Sequence, residues 1–197
     1  MSFKLGLTGS IGMGKSTTAQ MFAEAGCAVW DADAAVHRLY AAGGASVAPM
    51  GALLPAAIVD GAVSRDVLKA EIGKRPDILR EIEAIEHPLV AAERAACIAE
   101  ATADILVFDI PLLFETGGDA AMDATVCVSI PDEEQAARVL ARGTMTPEQF
   151  EAIRTKQMPN AEKCARADYV IVTDTLEHAR AQVHSVISRI KEQLTHA

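Results

Sequence analysis

A chain of 197 residues suffices for one domain with an inserted subdomain, since domains run to about 150 residues. Half of the residues are hydrophobic and 23% are charged, which excludes a disordered chain. A net charge of −9 argues against a protein that coats a nucleic-acid backbone, which needs a basic stripe, but leaves room for a local site that holds an anion.

Short apolar runs alternate with helical patterns, which predicts βαβ units and an α/β fold. Lys4–Thr8 reads as a first strand that enters a Gly-rich turn, followed by a helix from about Lys15 to Ala25, with Gly26 as its stop. Ala28–Trp30 reads as a short second strand ending in Asp31-Ala32-Asp33, and a helix carrying His37, Arg38 and Leu39 follows. Residues 43–59 are rich in Gly, Ala and Pro and show no clear period. From Ser64 the pattern turns helical, with Pro76 in the first turn of one helix reaching Glu86 and Pro88 opening another toward Ala103. Ile105–Phe108, ending in Asp109, and Ala124–Ile130 are continuous apolar runs of the kind a strand buried on both faces shows. Helices are predicted at about 132–142 and 146–156, a last strand at Tyr169–Val172 and a last helix from Thr175 to Leu194. The segment 37–104 therefore reads as helices inserted between the second and third strands of a sheet.

Gly9-Ser10-Ile11-Gly12-Met13-Gly14-Lys15-Ser16 fits G-x-x-x-x-G-K-[ST] at every fixed position, between an apolar strand and a helix. Glycines let the backbone turn its N–H groups around phosphate oxygens, and the helix N-terminus adds partial positive charge. Lys15 can bridge the β- and γ-phosphates, the Ser16 hydroxyl can ligate Mg²⁺, and Thr17 is placed for the α-phosphate. The sequence has no Asn-Lys-x-Asp base-reading motif and no Leu-Ser-Gly-Gly-Gln signature, which disfavours a switch GTPase and a transport ATPase. A small kinase acting on a metabolite is what remains.

Asp31 and Asp33 follow the second strand, where ligands of an open parallel sheet bind. A carboxylate there can accept the proton of an attacking hydroxyl or order Mg²⁺, or it can cap the next helix; one of the pair is expected to do each. Asp109 stands where many phosphate-loop proteins place a Mg²⁺-supporting carboxylate, and Leu112-Leu113-Phe114 form either a substrate wall or a core-packing loop. Arg138 and Arg142 are four apart on one helical face after the fourth strand, suited to phosphate oxygens in a lid or to a solvated surface with Glu134. Lys156, Lys163 and Arg166 read mostly as a solvated face. The cysteines, Cys27, Cys97, Cys127 and Cys164, form no Cys-x-x-Cys, which disfavours zinc ribbons and redox motifs and suits reduced thiols. No secretory signal is read at Met1–Leu5, and no apolar run approaches the ~18 residues of a membrane span. A cytoplasmic protein is expected.

These stretches together resemble the dephospho-CoA kinases, the family that catalyses the last step of coenzyme A biosynthesis. The resemblance rests on LTGSIGMGKST (7–17), DAD (31–33), Asp60-Gly61 with Arg65, IEHPLV (85–90) and DIPLLFE (109–115). Gln135 with Arg138 and Arg142, Gln157 with Lys163, and ADYVI (167–171) continue it in order. It implies a phosphate-loop NTPase-like three-layer α/β/α fold with a five-stranded parallel sheet. The nucleotide core would comprise about 1–36, 105–130 and 167–197, the helical CoA-substrate subdomain 37–104, and the lid 131–166. It implies ATP held by Gly9 and by Gly12, Met13, Gly14, Lys15, Ser16 and Thr17, with Mg²⁺ on Ser16. Asp33 is the acceptor-side carboxylate, Arg138 and Arg142 are lid arginines, and acceptor contacts lie around His87, Asp109, Leu113 and Phe114. Where the family usually has Asn near the adenine, this chain has Thr173, and where the loop usually opens Gly-Gly it has Gly9-Ser10. The implied partners are ATP and dephospho-CoA, without nucleic acid or membrane. The rivals are another small-metabolite or nucleotide kinase on the same scaffold, and a nucleotide-binding regulatory module without transfer activity.

Overall fold

The computed structural model describes residues 2–196. In chain order it forms β1 (Phe3–Thr8), α1 (Lys15–Glu24), β2 (Ala28–Asp31), α2 (Ala32–Tyr40) and α3 (Val47–Leu53), then a hairpin of β3 (Ile58–Val59) and β4 (Ala62–Val63). There follow α4 (Arg65–Lys74), α5 (Ile78–Glu100), β5 (Ile105–Asp109) and β6 (Ala124–Ser129). The chain ends with α6 (Asp132–Ala141), α7 (Pro147–Lys156), α8 (Asn160–Arg166), β7 (Tyr169–Val172) and α9 (Leu176–His196). Five strands form one sheet in the order β2-β5-β1-β6-β7. β1 pairs in parallel with β5 and β6, and β6 in parallel with β7.

The chain divides into two compact units, one of residues 1–30 with 101–197, the other of residues 31–100. The first holds the central strands. Alternate residues of β1, β5 and β6 (Leu5 and Leu7, Ile105 and Val107, Val126 and Val128) face Phe22 of α1 and Val183, Ile187 and Ile190 of α9 in one buried cluster. The intervening Leu106, Phe108 and Cys127 are equally buried. Both faces are therefore covered, which is why these strands read as unbroken apolar runs rather than alternating ones. Trp30 packs its ring against Phe108 at 5.9 Å between centroids.

In the second unit Leu39, Tyr40, Met50, Leu54, Val63, Leu68, Ile78 and Ile82 make a separate core. The unassigned stretch 43–59 contains α3 and the start of the β3–β4 hairpin. Asp60 and Gly61 turn that hairpin with φ of 50° and 77°, the left-handed pair that a two-residue turn requires and that Asp-Gly supplies at low cost. The expected break at Pro88 is corrected: α5 runs through it as one 23-residue helix. Pro88 removes one backbone donor, a loss of about 3 kcal/mol in a helix interior. Ile82 on one side and Leu89 and Val90 on the other pack on the same core, and this holds the helix continuous. The helix α8 has too few residues to show a period in sequence and was not expected. Among the described residues, no helix is long and apolar enough to cross a membrane.

Candidate active site

The carboxyl end of β1 delivers the glycine-rich loop to α1. Gly14 occupies the N-cap of α1 with φ 89°, no side chain caps that end, and its first turn carries no acid. The leading amides of α1 are thus left without a side-chain partner beside the helix's positive end, the arrangement that binds anions. A Cβ at Gly14 would stand 3.0 Å from the Thr173 hydroxyl, so glycine is required there by space as well as by φ. Ser16 and Thr17 are exposed in the first turn.

Lys15 forms an ion pair with Asp109 at the end of β5. Asp109 is 1% exposed, and a carboxylate at that depth needs a cation nearby. The ammonium group of the loop is thereby fixed by the neighbouring strand.

Thr173, just past β7, closes the other side of the loop. Its hydroxyl donates to the Met13 carbonyl at 2.7 Å, and its amide donates to the Ser129 carbonyl at 2.9 Å. The Thr173 and Asp174 carbonyls accept from Arg138 at 2.9 and 3.2 Å. Gly14, Thr17, Thr18, Met21, Arg138 and Thr173 line a pocket of about 60 Å³ beside the loop. Arg138 also reaches Glu134 at 3.5 Å, so the surface pair and the tie to the pocket wall coexist. Arg142 ends α6 exposed to solvent.

Further from the loop, Leu113 has no exposed surface and Phe114 is 5% exposed, whereas Leu112 is 42% exposed. Leu113 fills the space over Gly6, where a Cβ would meet its side chain at 2.7 Å. Arg166 lies 4.6 Å above the Phe114 ring and pairs with Asp119 at 3.1 Å. Lys163 is not on a solvated face: it is fully buried, donates to the Pro111 carbonyl at 2.9 Å and pairs with Glu115 at 2.8 Å. Burial pushes the Glu115 carboxyl up, but the hydrogen bonds from Lys163, its own backbone and the Met158 amide outweigh that and hold it below its usual range. No periodicity marked Lys163 as buried, because its partners come from a segment some 50 residues away in sequence. Cys127 and Cys164, far apart in sequence, bring their sulfurs to 3.6 Å, and all four cysteines are free thiols.

In the second unit, Asp31 caps α2, its Oδ1 accepting from the Ala34 amide at 2.9 Å. Asp33 lies exposed in the first turn of α2. Of the two carboxylates, Asp31 is the cap and Asp33 is left available for chemistry. His87 is exposed on α5. Beside it, burial pushes the Glu86 carboxyl up, with His87 partly opposing. Arg65 stands 5.7 Å from the centre of the Tyr40 ring.

A parallel α/β sheet whose first strand feeds a phosphate loop, with the loop lysine held by a strand-end aspartate, defines a phosphate-loop kinase fold. The family model described as Dephospho-CoA kinase matches residues 3–178. A relative from Ruegeria pomeroyi, named dephospho-CoA kinase, is 71% identical over the whole of both chains. A solved structure from Thermus thermophilus aligns with TM-score 0.85 and 31% identity, covering 95% of this chain and 97% of its own. A dephospho-CoA kinase from Campylobacter jejuni shares the fold, with TM-score 0.71 and 21% identity over 98% and 99% of the two chains. The chain belongs to the dephospho-CoA kinase family. Its activity is that of the family, phosphorylation of dephospho-CoA in the last step of coenzyme A biosynthesis, with ATP as the donor that the family implies.

Proposed function

We propose that the phosphate loop and Asp33 divide the reaction between them, the loop holding the donor and Asp33 serving the acceptor. The observation that carries this reading is Lys15 at the uncapped start of α1, tethered to Asp109. The loop from Gly12 to Thr17 encloses the phosphates of ATP, and Lys15 offsets the charge that builds on the transferred γ-phosphoryl group. The ribose 3′-hydroxyl of dephospho-CoA attacks that phosphorus as Asp33 takes its proton, and ADP leaves. Arg138 and Arg142, on the lid of residues 131–166, turn guanidinium groups to the phosphates. Arg138 exchanges its present carbonyl partners to do so. Thr173 borders the adenine side of the pocket, while His87 with Leu113 and Phe114 shape the acceptor region, the last two from within the packed loop after β5. The core of 1–36, 105–130 and 167–197 holds the nucleotide, and 37–104 holds the acceptor.

Ser16 presents a hard oxygen donor to solvent in the first turn of α1, which fits Mg²⁺, an ion usually held by few protein oxygens together with phosphates and water. When bound, Mg²⁺ neutralises charge on the β- and γ-phosphates. We place the protein in the cytoplasm, acting on small molecules, without nucleic acid or membrane as partner.

ADP release with a panel of acceptors tests this reading. Dephospho-CoA is expected to be phosphorylated far faster than AMP, adenosine or shikimate. Comparable turnover of AMP refutes the acceptor assignment and favours a nucleotide kinase. The 3′-position is checked by showing that the product is CoA.

A further inference from the structure

Three side-chain amides from the segment after β6 close on two consecutive residues of the phosphate loop. The Ser10 amide donates to Asn160 Oδ1 at 3.1 Å, the Ile11 amide donates to Gln157 Oε1 at 3.1 Å, and Gln135 Nε2 donates to the Ile11 carbonyl at 2.7 Å. Asn160 is anchored in turn, its Nδ2 donating to the Val128 carbonyl at 3.3 Å and to the Ser129 hydroxyl at 3.2 Å. The loop is thus tied to the carboxyl end of β6 by one side chain and to the start of α8 by the same contact.

We infer that Asn160 and Gln157 are positioning residues for phosphoryl transfer, which set the orientation of the first peptide planes of the phosphate loop. This rests on the reading of that loop as the donor site. A peptide N–H in such a loop can turn toward phosphate or away from it. The N–H groups of Ser10 and Ile11 are committed to Oδ1 of Asn160 and Oε1 of Gln157, and the Met13 amide donates to the Ser10 carbonyl at 3.2 Å, which leaves the Gly12 amide and those from Gly14 to Thr17 to turn toward phosphate. Rotation of either plane would carry Gly12 and its neighbours with it. Catalysis by a phosphate loop is mainly positioning and electrostatics, so loss of this grip acts on the rate rather than on acceptor binding. Gln157 is half-buried in the link between α7 and α8. Its removal takes little from the core, and this separates positioning from packing.

The test uses the full chain and steady-state kinetics of Gln157→Ala and Asn160→Ala, with Lys15→Ala alongside. For Gln157→Ala kcat is expected to fall about tenfold and for Asn160→Ala about 10²-fold, the scale of a 1 Å misplacement. The KM for dephospho-CoA and the circular dichroism spectrum should be unchanged. If Gln157→Ala keeps kcat within about twofold, or if the loss falls on the KM for dephospho-CoA instead, the inference is overturned. Should Asn160→Ala fail to fold, Gln157→Ala decides alone. Lys15→Ala reports on the donor site itself: full activity there refutes the loop reading, whereas full activity of Gln157→Ala refutes only this one.

Discussion

Lys163 and Glu115 form an ion pair at 2.8 Å in which the lysine has no exposed surface. The same ammonium group donates to the Pro111 carbonyl at 2.9 Å, so α8 and the loop after β5 are joined through one buried charge. Removing one partner of a buried pair is worse than never having had it, because the other charge is left behind. Lys163→Ala is expected to destabilise the protein by about 3–5 kcal/mol, measured as a shift in urea unfolding. Lys163→Arg, which keeps the charge but not the shape, should cost less.

The pH dependence of the same pair follows from its sign. The folded-state pKa of Glu115 is lowered from 4.5, so its contribution to stability is present above that value and is lost as pH falls through the folded pKa. Glu115→Gln should therefore be less stable than the parent at pH 7, with the gap narrowing as pH drops below 4.5. Urea midpoints at neutral and acid pH check this, and a gap independent of pH would refute it.

For Lys15, two effects are separable. Lys15→Ala should cut turnover by about 10²–10³-fold, the usual loss on removing one group that stabilises developing charge. It also takes the Lys15 ammonium away from the buried Asp109 carboxylate, so the variant should melt lower than the parent. Adding Asp109→Asn should recover part of that stability without recovering turnover, a double-mutant cycle read by calorimetry and ADP release.

Asp31 and Asp33 should respond in opposite ways. Asp31→Ala removes the cap of α2 and is expected to cost about 1 kcal/mol of stability, while Asp31→Asn, which still caps, should be mild. Asp33→Asn, at an exposed position, should leave the melting temperature in place and lower kcat by about 10²–10⁴-fold. Normal turnover in Asp33→Asn would remove it from the proton transfer.

Thr173→Val keeps the side-chain shape but withdraws the donor to the Met13 carbonyl. The buried carbonyl is then unsatisfied, at a cost of about 1–3 kcal/mol. Loosening of the loop should raise the KM for ATP more than that for dephospho-CoA, which initial-rate kinetics resolves.

The phosphate loop and the five strands of the sheet could be read in the linear chain, because each depends on residues adjacent in sequence. Glycine at position 14 and the apolar runs at Ile105–Phe108 and Ala124–Ile130 each dictate local backbone geometry, whereas the hairpin that Asp60-Gly61 turns carries strands of only two residues, too short to show a period. A choice between alternatives that were locally equal needed the folded structure. Asp31 and Asp33 are both competent caps, and it is the Ala34 amide that selects Asp31. Pro88 predicts a break, and only the core on which Ile82, Leu89 and Val90 meet carries the helix through it. Lys163, Asn160 and Gln157 carry no local sign of burial or of contact with the loop. Their partners lie about 50 to 150 residues away, and an energy that arises between distant segments leaves no period in either one. The sequence by itself determined which chemistry the chain could carry, through residues whose roles follow from their immediate neighbours. Which side chains hold that chemistry in register was decided only when β6, α8 and the loop were packed together.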